Sequence, residues 1–144
     1  MKEILIQLVT AFFGSLGFSL LFGLRAKHVV FASLGGMIAW GVFLGVHALV
    51  PSLFLANLCA AIFSVTYAEV LAHLRKCPTT LFVIPAIIPL VPGSSLYYAM
   101  SSAVQGDFVS AGEYGHRTLV CALAIAAGIS LVTALRELHT PKMQ

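Results

Sequence analysis

Residues 84–100 read IPAIIPLVPGSSLYYAM and lie inside a stretch that is otherwise apolar enough to cross a membrane. The segment contains Pro85, Pro89 and Pro92, with Gly93 directly after the last of them. A proline inside a helix removes one backbone N–H donor, and its ring clashes with the carbonyl four residues back, at a cost of about 3 kcal/mol. Three prolines in one span therefore predict an interrupted helix.

The composition places the chain among integral membrane proteins. Of its 144 residues, 60% are hydrophobic and only 9% are charged, and the mean hydropathy is +1.01. A soluble domain carries about a quarter charged residues. We therefore expect a single all-α transmembrane domain over residues 1–144, with no soluble appendage.

Charged residues and prolines divide the chain into five predicted spans. Each is near the ~20 residues that cross about 30 Å of hydrocarbon. The spans cover residues 4–24, 29–50, 52–74, 79–104 and 118–135. Residues 105–117 form the only long polar loop in this prediction. The expected fold is a five-helix membrane protein whose fourth helix is interrupted by a Pro/Gly-rich break.

The basic residues predict the orientation of the helices. Six of the eight Lys and Arg residues fall on one side of a five-helix zigzag, whereas Lys2 and Arg117 fall on the other. The six are Arg25, Lys27, Arg75, Lys76, Arg136 and Lys142. Because such residues concentrate on the cytoplasmic side, we expect the N-terminus outside and the C-terminus in the cytoplasm. The net charge of +3 is then a topology signal and indicates no nucleic-acid partner.

Small residues recur at every fourth position in four of the five predicted helices. They are Ala11, Ser15 and Ser19; Gly41 and Gly45; Ala56, Ala60, Ser64 and Ala68; and Ala122, Ala126, Ser130 and Ala134. Residues four apart share a helix face, and small side chains let helix backbones approach closely. The stripes indicate a compact bundle. They exceed what one small bundle needs, so we also expect a further helical partner.

The few polar residues inside the spans each have a structural and a functional interpretation. Glu69, near the predicted cytoplasmic end of the third span, either snorkels or pairs with His73, or else carries protons, since intramembrane carboxylates are costly and often functional. Asn57 lies deeper and is expected to hydrogen-bond across helices. Trp40 is mid-span and packs or lines a cavity, whereas His47 fits an interfacial position.

The residue inventory argues against an enzyme. Intramembrane hydrolysis would use a serine with His or Lys, an aspartate pair, or histidine zinc ligands. The sequence has no HExxH or GxSxG motif and no aspartate within a predicted span, and its five histidines are dispersed. We therefore expect no catalytic residue, no metal site and no cofactor.

The proline-rich stretch itself is either a kinked packing helix or a functional break. In the second case Gly93 lets the backbone turn, and Ser94 or Ser95 caps a new half-helix that runs through Tyr97. Irregular backbone at this depth persists only where it is buried in protein or lines a watery cavity. In secondary transporters the N-terminus of such a half-helix receives an anionic substrate group. Three prolines followed by a glycine favour the functional break.

The same stretch resembles the signature of a known family. Residues 89–100 match P-x-x-P-G-x-S-x-Y-x-A-M, which looks like the motif of the threonine/serine exporter family in its small-subunit, or C-terminal-half, type. Phe22 with Lys27, followed by Gly36, resembles the first cytoplasmic turn of that family. Five predicted helices also agree with the family's size.

The resemblance implies an inner-membrane exporter of small amino acids or, in some members, of dicarboxylates such as succinate. It implies a larger membrane subunit with about five further helices, and lipid around both. By position, the motif assigns Pro89, Pro92, Gly93, Ser95 and Tyr97 to the substrate pathway. The rest of the broken stretch adds Pro85 and Ser94, and Glu69 is the candidate for proton coupling.

Two functions remain open at this point. The chain is a transport subunit with a substrate site at the broken helix, or a non-transporting assembly subunit whose kinked helix docks and stabilises the larger subunit. A transport subunit should have Ser95 and Tyr97 facing a hydrated cavity, whereas an assembly subunit should have them in a dry helix interface.

Overall fold

The structure, a computed structural model, describes residues 2–139, which fold into six helices joined by short turns. The helices are α1 (Lys2–Leu21), α2 (Ala26–Leu49), α3 (Leu53–Arg75), α4 (Thr80–Ile87), α5 (Gly93–Val104) and α6 (Phe108–His139), with a 3₁₀ turn at Ile88–Leu90. Four of them, α1, α2, α3 and α6, are long and apolar enough to cross a membrane, and α4 with α5 adds a fifth span if the bent pair crosses as one. The predicted all-α membrane protein is confirmed at this level. Lys142, which the orientation prediction counts, lies outside the described residues.

The turn between α1 and α2 lies three residues earlier in the chain than predicted. Gly23 adopts a left-handed φ of +65°, and the Leu24 N–H donates to the Ser19 carbonyl at 3.1 Å. This is the usual way in which a glycine ends a helix, and it stops α1 at Leu21 instead of residue 24. After Arg25 in extended conformation, α2 begins at Ala26 instead of residue 29.

The prediction of a long polar loop at residues 105–117 is wrong. Only residues 105–107 separate α5 from α6, because α6 begins at Phe108. Gly106 turns the chain with a φ of +80°, and the Asp107 carboxylate accepts a hydrogen bond from the Ser110 N–H at 3.1 Å, which caps the first turn. Hydrogen bonds from Ser110 hold the pKa of the Asp107 carboxyl below its usual value. The polar residues after Phe108 therefore form the first turns of α6, before the apolar part of this helix begins.

The small-residue stripes of α1 and α3 face the interior, as the close-packing argument predicts. All of their residues are buried, namely Ala11, Ser15, Ser19, Ala56, Ala60, Ser64 and Ala68. The α2 stripe is different, because Gly41 is half-buried and Gly45 is exposed. Close contact at α2 comes instead from Gly36, where an added Cβ would overlap the Ser15 hydroxyl and lie 3.0 Å from the Pro85 carbonyl oxygen.

The small-residue stripe of α6 faces outward. Its members Ala122, Ala126, Ser130 and Ala134 are all exposed in this chain. The face that packs on α3 is formed by other residues, among them Gly128, where an added Cβ would lie 2.7 Å from Ala61 Cβ and 3.1 Å from the Leu58 carbonyl oxygen. The periodicity therefore placed these four residues on one face of α6, but a different face of this helix packs against the rest of the chain.

The two halves of the broken span have different neighbours. α4 packs against α2 and α3 and contacts α1, whereas α5 packs chiefly against α6. Phe82 of α4 is fully buried in a cluster that also contains Val29 of α2 and Ala68 of α3. A second cluster joins Leu90 of the 3₁₀ turn to Ile125 of α6. These contacts fix the position of the break.

Candidate functional site

The interruption predicted from the prolines is present, and it begins where Pro89 has no N–H for the Pro85 carbonyl. α4 ends at Ile87, the 3₁₀ turn follows, and Val91 is extended with a ψ of 125°. The Val91 N–H donates to the Ile88 carbonyl at 3.2 Å, the acceptor that residue 92 would use in a continuous helix. The two helical pieces meet at an angle of 51°.

The first turn of α5 has unbonded backbone donors. The Gly93 N–H donates to Val91 at 2.8 Å and the Leu96 N–H donates to Pro92 at 3.1 Å, but within residues 2–139 no acceptor bonds the N–H groups of Ser94 and Ser95. The expected serine caps are therefore wrong: Pro92 occupies the N-cap position, and no side chain bonds this end. Unbonded N–H groups and the positive end of the helix dipole favour an anion at such a place.

Gly93 does not have the conformation that would require glycine. It is the first residue of α5 and is not among the residues with positive φ. An added Cβ would meet nothing within 4 Å in this chain. The freedom of the turn comes from Val91 and Pro92 instead, whose extended and irregular backbone carries the chain between the helices.

A cavity of about 460 Å³ lies at the break. α2 contributes Trp40, Phe43 and His47 to its wall, the broken span contributes residues from Pro89 to Ser95, and α3 and α6 complete it. The volume suits a small metabolite, because ligand pockets are about 300–1,000 Å³. Part of the stretch predicted from the prolines thus borders an open cavity in this chain.

The α2 side of the cavity is a ladder of stacked rings. The Trp40 and Phe43 rings are stacked with centroids 4.8 Å apart, and Phe43 and His47 are stacked at 5.8 Å. Trp40 Nε1 donates to Gln7 Oε1 of α1 at 3.3 Å. Trp40 also borders a smaller cavity of about 160 Å³ beside Gln7 and Thr10, so it separates two spaces in the bundle.

The part of the cavity wall formed by α3 and α6 includes polar side chains. Asn57 of α3, only 2% exposed, donates its amide to the Leu53 carbonyl at 2.8 Å and to Cys121 Sγ of α6 at 3.4 Å. The expected hydrogen bond of Asn57 across helices is therefore confirmed. Arg117, one helical turn before Cys121, also lines the cavity. In the part of the chain that the structure describes, no group of three or more His, Cys, Asp or Glu residues could hold a metal ion.

The structure brings together only part of the predicted substrate pathway. Pro89, Pro92, Ser94 and Ser95 line the cavity. Pro85 lies deeper in α4 and is buried against other helices. Neither Gly93 nor Tyr97 is among the lining residues. Tyr97 is 66% exposed, so Ser95 faces the cavity but Tyr97 faces away from this chain.

Glu69 lies in a different place. Its carboxylate is 3.7 Å from the Arg136 guanidinium of α6, and both border an open cavity of about 700 Å³ together with His73, Lys76 and Cys77. The predicted pairing with His73 is not present among the described ion pairs, where Arg136 takes its place. The cavity at the break does not include Glu69.

Arg117 was not predicted to line a cavity, because residues 105–117 were expected to form a loop. The i, i+4 spacing of Arg117 and Cys121 was a usable signal, since it puts both on one helix face. Trp40, Phe43 and His47 gave a similar signal at i, i+3 and i+7. Periodicity alone does not say that these two faces meet.

Comparison with known proteins agrees with the resemblance at the break. The family model described as Threonine/Serine exporter, ThrE, matches residues 7–135, a range that contains every residue found to line the cavity. No curated protein and no solved structure matches the chain. The family match covers most of the chain and contains the whole broken span. The chain therefore belongs to the threonine/serine exporter family.

Proposed function

We propose that this chain is a subunit of a secondary transporter that exports small carboxylate-bearing metabolites across the inner membrane. Membership of the threonine/serine exporter family supports amino-acid export, and we propose no catalytic role for this chain. Threonine/serine-type amino acids, or dicarboxylates such as succinate, are the proposed cargo. The observation that carries this proposal is the cavity at the break, which Ser94 and Ser95 line at the unbonded start of α5.

The cavity has the features that transient binding needs. Donor N–H groups at a half-helix N-terminus favour a carboxylate. The ring ladder of α2 gives an apolar wall for the rest of a small molecule. Pro89, Pro92, Ser94 and Ser95 form the proposed substrate pathway, with Gly93 and Tyr97 on the adjoining outer surface. Pro85 does not line the cavity, but its buried contacts fix the position of the span next to the proposed pathway.

The proposed partner is a larger membrane subunit of the same family. The α6 stripe at Ala122, Ala126, Ser130 and Ala134 is exposed in this chain, and small residues at such a face permit close helix packing. Tyr97 and Met100 of α5 are also exposed, at 66% and 65%. We propose that the larger subunit covers these surfaces and that lipid covers the remainder.

The proposed orientation has the N-terminus outside and the C-terminus in the cytoplasm. The cavity includes His47 and Pro51 near the α2–α3 turn, so in this orientation it lies toward the outside. A single cysteine from Gln105→Cys, with Cys59, Cys77 and Cys121 replaced by serine, tests this at the α5–α6 turn. An impermeant thiol reagent added to intact cells should label it. Labelling only after the membrane is opened would reverse the orientation.

Glu69 is the proposed proton-coupling residue. Its carboxylate lies 3.7 Å from the Arg136 guanidinium of α6, and both residues border the cavity of about 700 Å³. Glu69→Gln should then abolish the dependence of export on the proton gradient but leave substrate binding in place. If export by this variant still depends on the proton gradient, Glu69 has only a structural role, as an interfacial ion pair.

The second candidate function is a non-transporting assembly subunit. The specific observation in its favour is that α5 has no buried residue, so its outer face is available for docking. The two functions differ in what the cavity does. An assembly subunit would tolerate a bulky residue in the cavity, for example Ser95→Leu, provided that the complex still forms.

Export assays on the complex test the function directly. We expect cells that make this chain with its larger subunit to export labelled threonine or succinate, and cells that make either subunit alone to export neither. Ser95→Leu should block export while the two subunits still co-purify. Normal export by that variant would favour the assembly function, and full transport by this chain alone in liposomes would contradict the partnership.

A further inference from the structure

The cavity wall contains a cation that the family motif does not include. Among residues 2–139, Arg117 is the only Lys or Arg that lines the cavity at the break. It also borders a second depression of about 540 Å³, formed with Glu113, Tyr114 and His116 at the same end of α6. In the described residues, no carboxylate lies within ion-pair distance of its guanidinium. Arg117 therefore borders both spaces, and no described carboxylate occupies its guanidinium.

A guanidinium in a partly enclosed space is suited to one ligand group above others. Its planar donors match the two oxygens of a carboxylate, and a charge-assisted bond of this kind is about twice as strong as a neutral hydrogen bond. The other donors in the wall are the unbonded N–H groups of Ser94 and Ser95. All of these donors favour the same anionic group.

Asn57 supplies the opposite kind of group. Its amide donates to the Leu53 carbonyl at 2.8 Å and to Cys121 Sγ at 3.4 Å, and an amide nitrogen has two hydrogens. Both are therefore in use, and the Leu53 bond fixes which end of the amide is nitrogen. The remaining Asn57 group is Oδ1, which only accepts. It suits an ammonium or a hydroxyl and disfavours a second carboxylate.

We propose that Arg117 binds the carboxylate of the exported substrate and that Asn57 Oδ1 accepts from its ammonium or hydroxyl group, so that the site selects an amino acid over a dicarboxylate. This inference rests on the proposed transport function. Ser94 and Ser95 then contact the carboxylate from the α5 side. Arg117 is a specificity residue in this arrangement, and its position between cavity and surface keeps the carboxylate paired as the substrate leaves.

The test compares one protein change with one substrate change. Everted vesicles with this chain and its larger subunit are given labelled threonine, with threoninamide (no carboxylate) or succinate as competitor. The wild type should prefer threonine to both. Arg117→Gln should raise the KM for threonine by at least about tenfold and should abolish the preference for threonine over threoninamide, while Arg117→Lys retains part of it.

Controls separate this inference from the function on which it rests. Lys2→Gln removes the other basic residue predicted on the same side, and it should leave the KM unchanged. If the wild-type complex exports neither threonine nor succinate, the proposed function fails. If the wild type exports threonine and Arg117→Gln does so with unchanged KM and preference, only the role of Arg117 fails. Succinate that competes as well as threonine would overturn the selectivity.

A binding measurement avoids any dependence on transport rate. Ser95→Cys, with the three native cysteines replaced by serine, places a thiol in the cavity wall. Threonine should slow its reaction with N-ethylmaleimide, and this protection should disappear when Arg117→Gln is added. Equal protection with and without the arginine would contradict the proposal even if the double variant transports poorly.

Discussion

α4 and α5 are two halves of one interrupted span, and they are packed in opposite ways. α4 lies among α1, α2 and α3 with Phe82, Pro85 and Ala86 buried. α5 rests mainly on α6 and has no buried residue. The break thus separates a half whose position is fixed by packing from a half that borders a cavity on one side and is uncovered on the other.

The difference shows what the prolines contribute. A continuous helix would give both halves one axis and one set of neighbours. The 51° bend lets the first half pack tightly while the start of the second half keeps backbone donors unbonded beside the cavity. Rigid support and an accessible site are therefore combined within a single span.

The largest expected effect is on the packed half. Phe82→Ala empties a fully buried position and should lower the free energy of unfolding by about 3 kcal/mol or more, as aromatic truncations in cores do. Tyr97→Ala, on the exposed face of α5, should change it by less than about 0.5 kcal/mol. Unfolding of each purified variant in mixed micelles measures both. Equal losses would show that α5 is as well packed as α4.

Glycines in the two regions give a second contrast. Gly36→Ala places a Cβ against Ser15 and the Pro85 carbonyl, so α1, α2 or α4 must move, and we expect a loss of about 1–3 kcal/mol. Gly93→Ala meets open space and replaces glycine in a helix, so it should be neutral or slightly stabilising. The same unfolding assay applies. If Gly36→Ala causes no loss of stability, then α1, α2 and α4 are packed less tightly around Gly36 than the distances indicate.

The bend itself is tested by restoring one donor. In Pro92→Ala the new N–H can bond the Ile88 carbonyl and straighten the span, which should reduce threonine export by about tenfold or more, equivalent to ~1.4 kcal/mol. Pro78→Ala, in the exposed turn before α4, is the matched control and should export normally. Spin-label distances across residues 83 and 100 report the bend independently of transport. If the distance between the labels is unchanged and export is normal, Pro92 is needed neither for the bend nor for transport.

The smallest effect is expected at the attachment of α5 to α6. Asp107→Ala removes the carboxylate that caps α6 and should speed amide exchange in residues 108–111 with little effect on export. Because hydrogen bonds from Ser110 hold the pKa of the Asp107 carboxyl below its usual value, this stabilisation is present above the ordinary carboxyl pKa. It is lost as the pH falls through the lowered one. Exchange that is the same in both proteins at neutral pH would contradict the cap.

Local signals predicted those parts of the fold that depend on one segment alone. Hydropathy identified the helices, and the proline spacing identified the break before any contact was known. The start of α6 was predicted too late, because the polar residues before its apolar part are also helical. Asp107 caps the helix at its true start. Gly93 was expected to need an unusual backbone, but Pro92 and Val91 turn the chain instead.

Features that depend on two segments were harder to predict. Periodicity placed Ala122 and Ala126 on one face of α6, but only packing decides that Gly128 and its neighbours meet α3. The cavity wall has the same character, since Arg117 lies on α6 and Asn57 on α3, far apart in sequence. No local pattern specifies that they border one space.

Three buried serines have a consequence for the motion of the helices. Ser19, Ser33 and Ser64 each donate to the carbonyl four residues back in their own helix, at 2.7, 2.8 and 2.8 Å. Their hydroxyls are therefore satisfied without any neighbouring helix. When one helix slides along another, as in shear motions of packed helices, these polar groups lose no bond. Between α1 and α2 the side-chain hydrogen bond of Trp40 to Gln7 is 3.3 Å long, so displacement of α1 meets little polar resistance and is governed by the fit of small side chains.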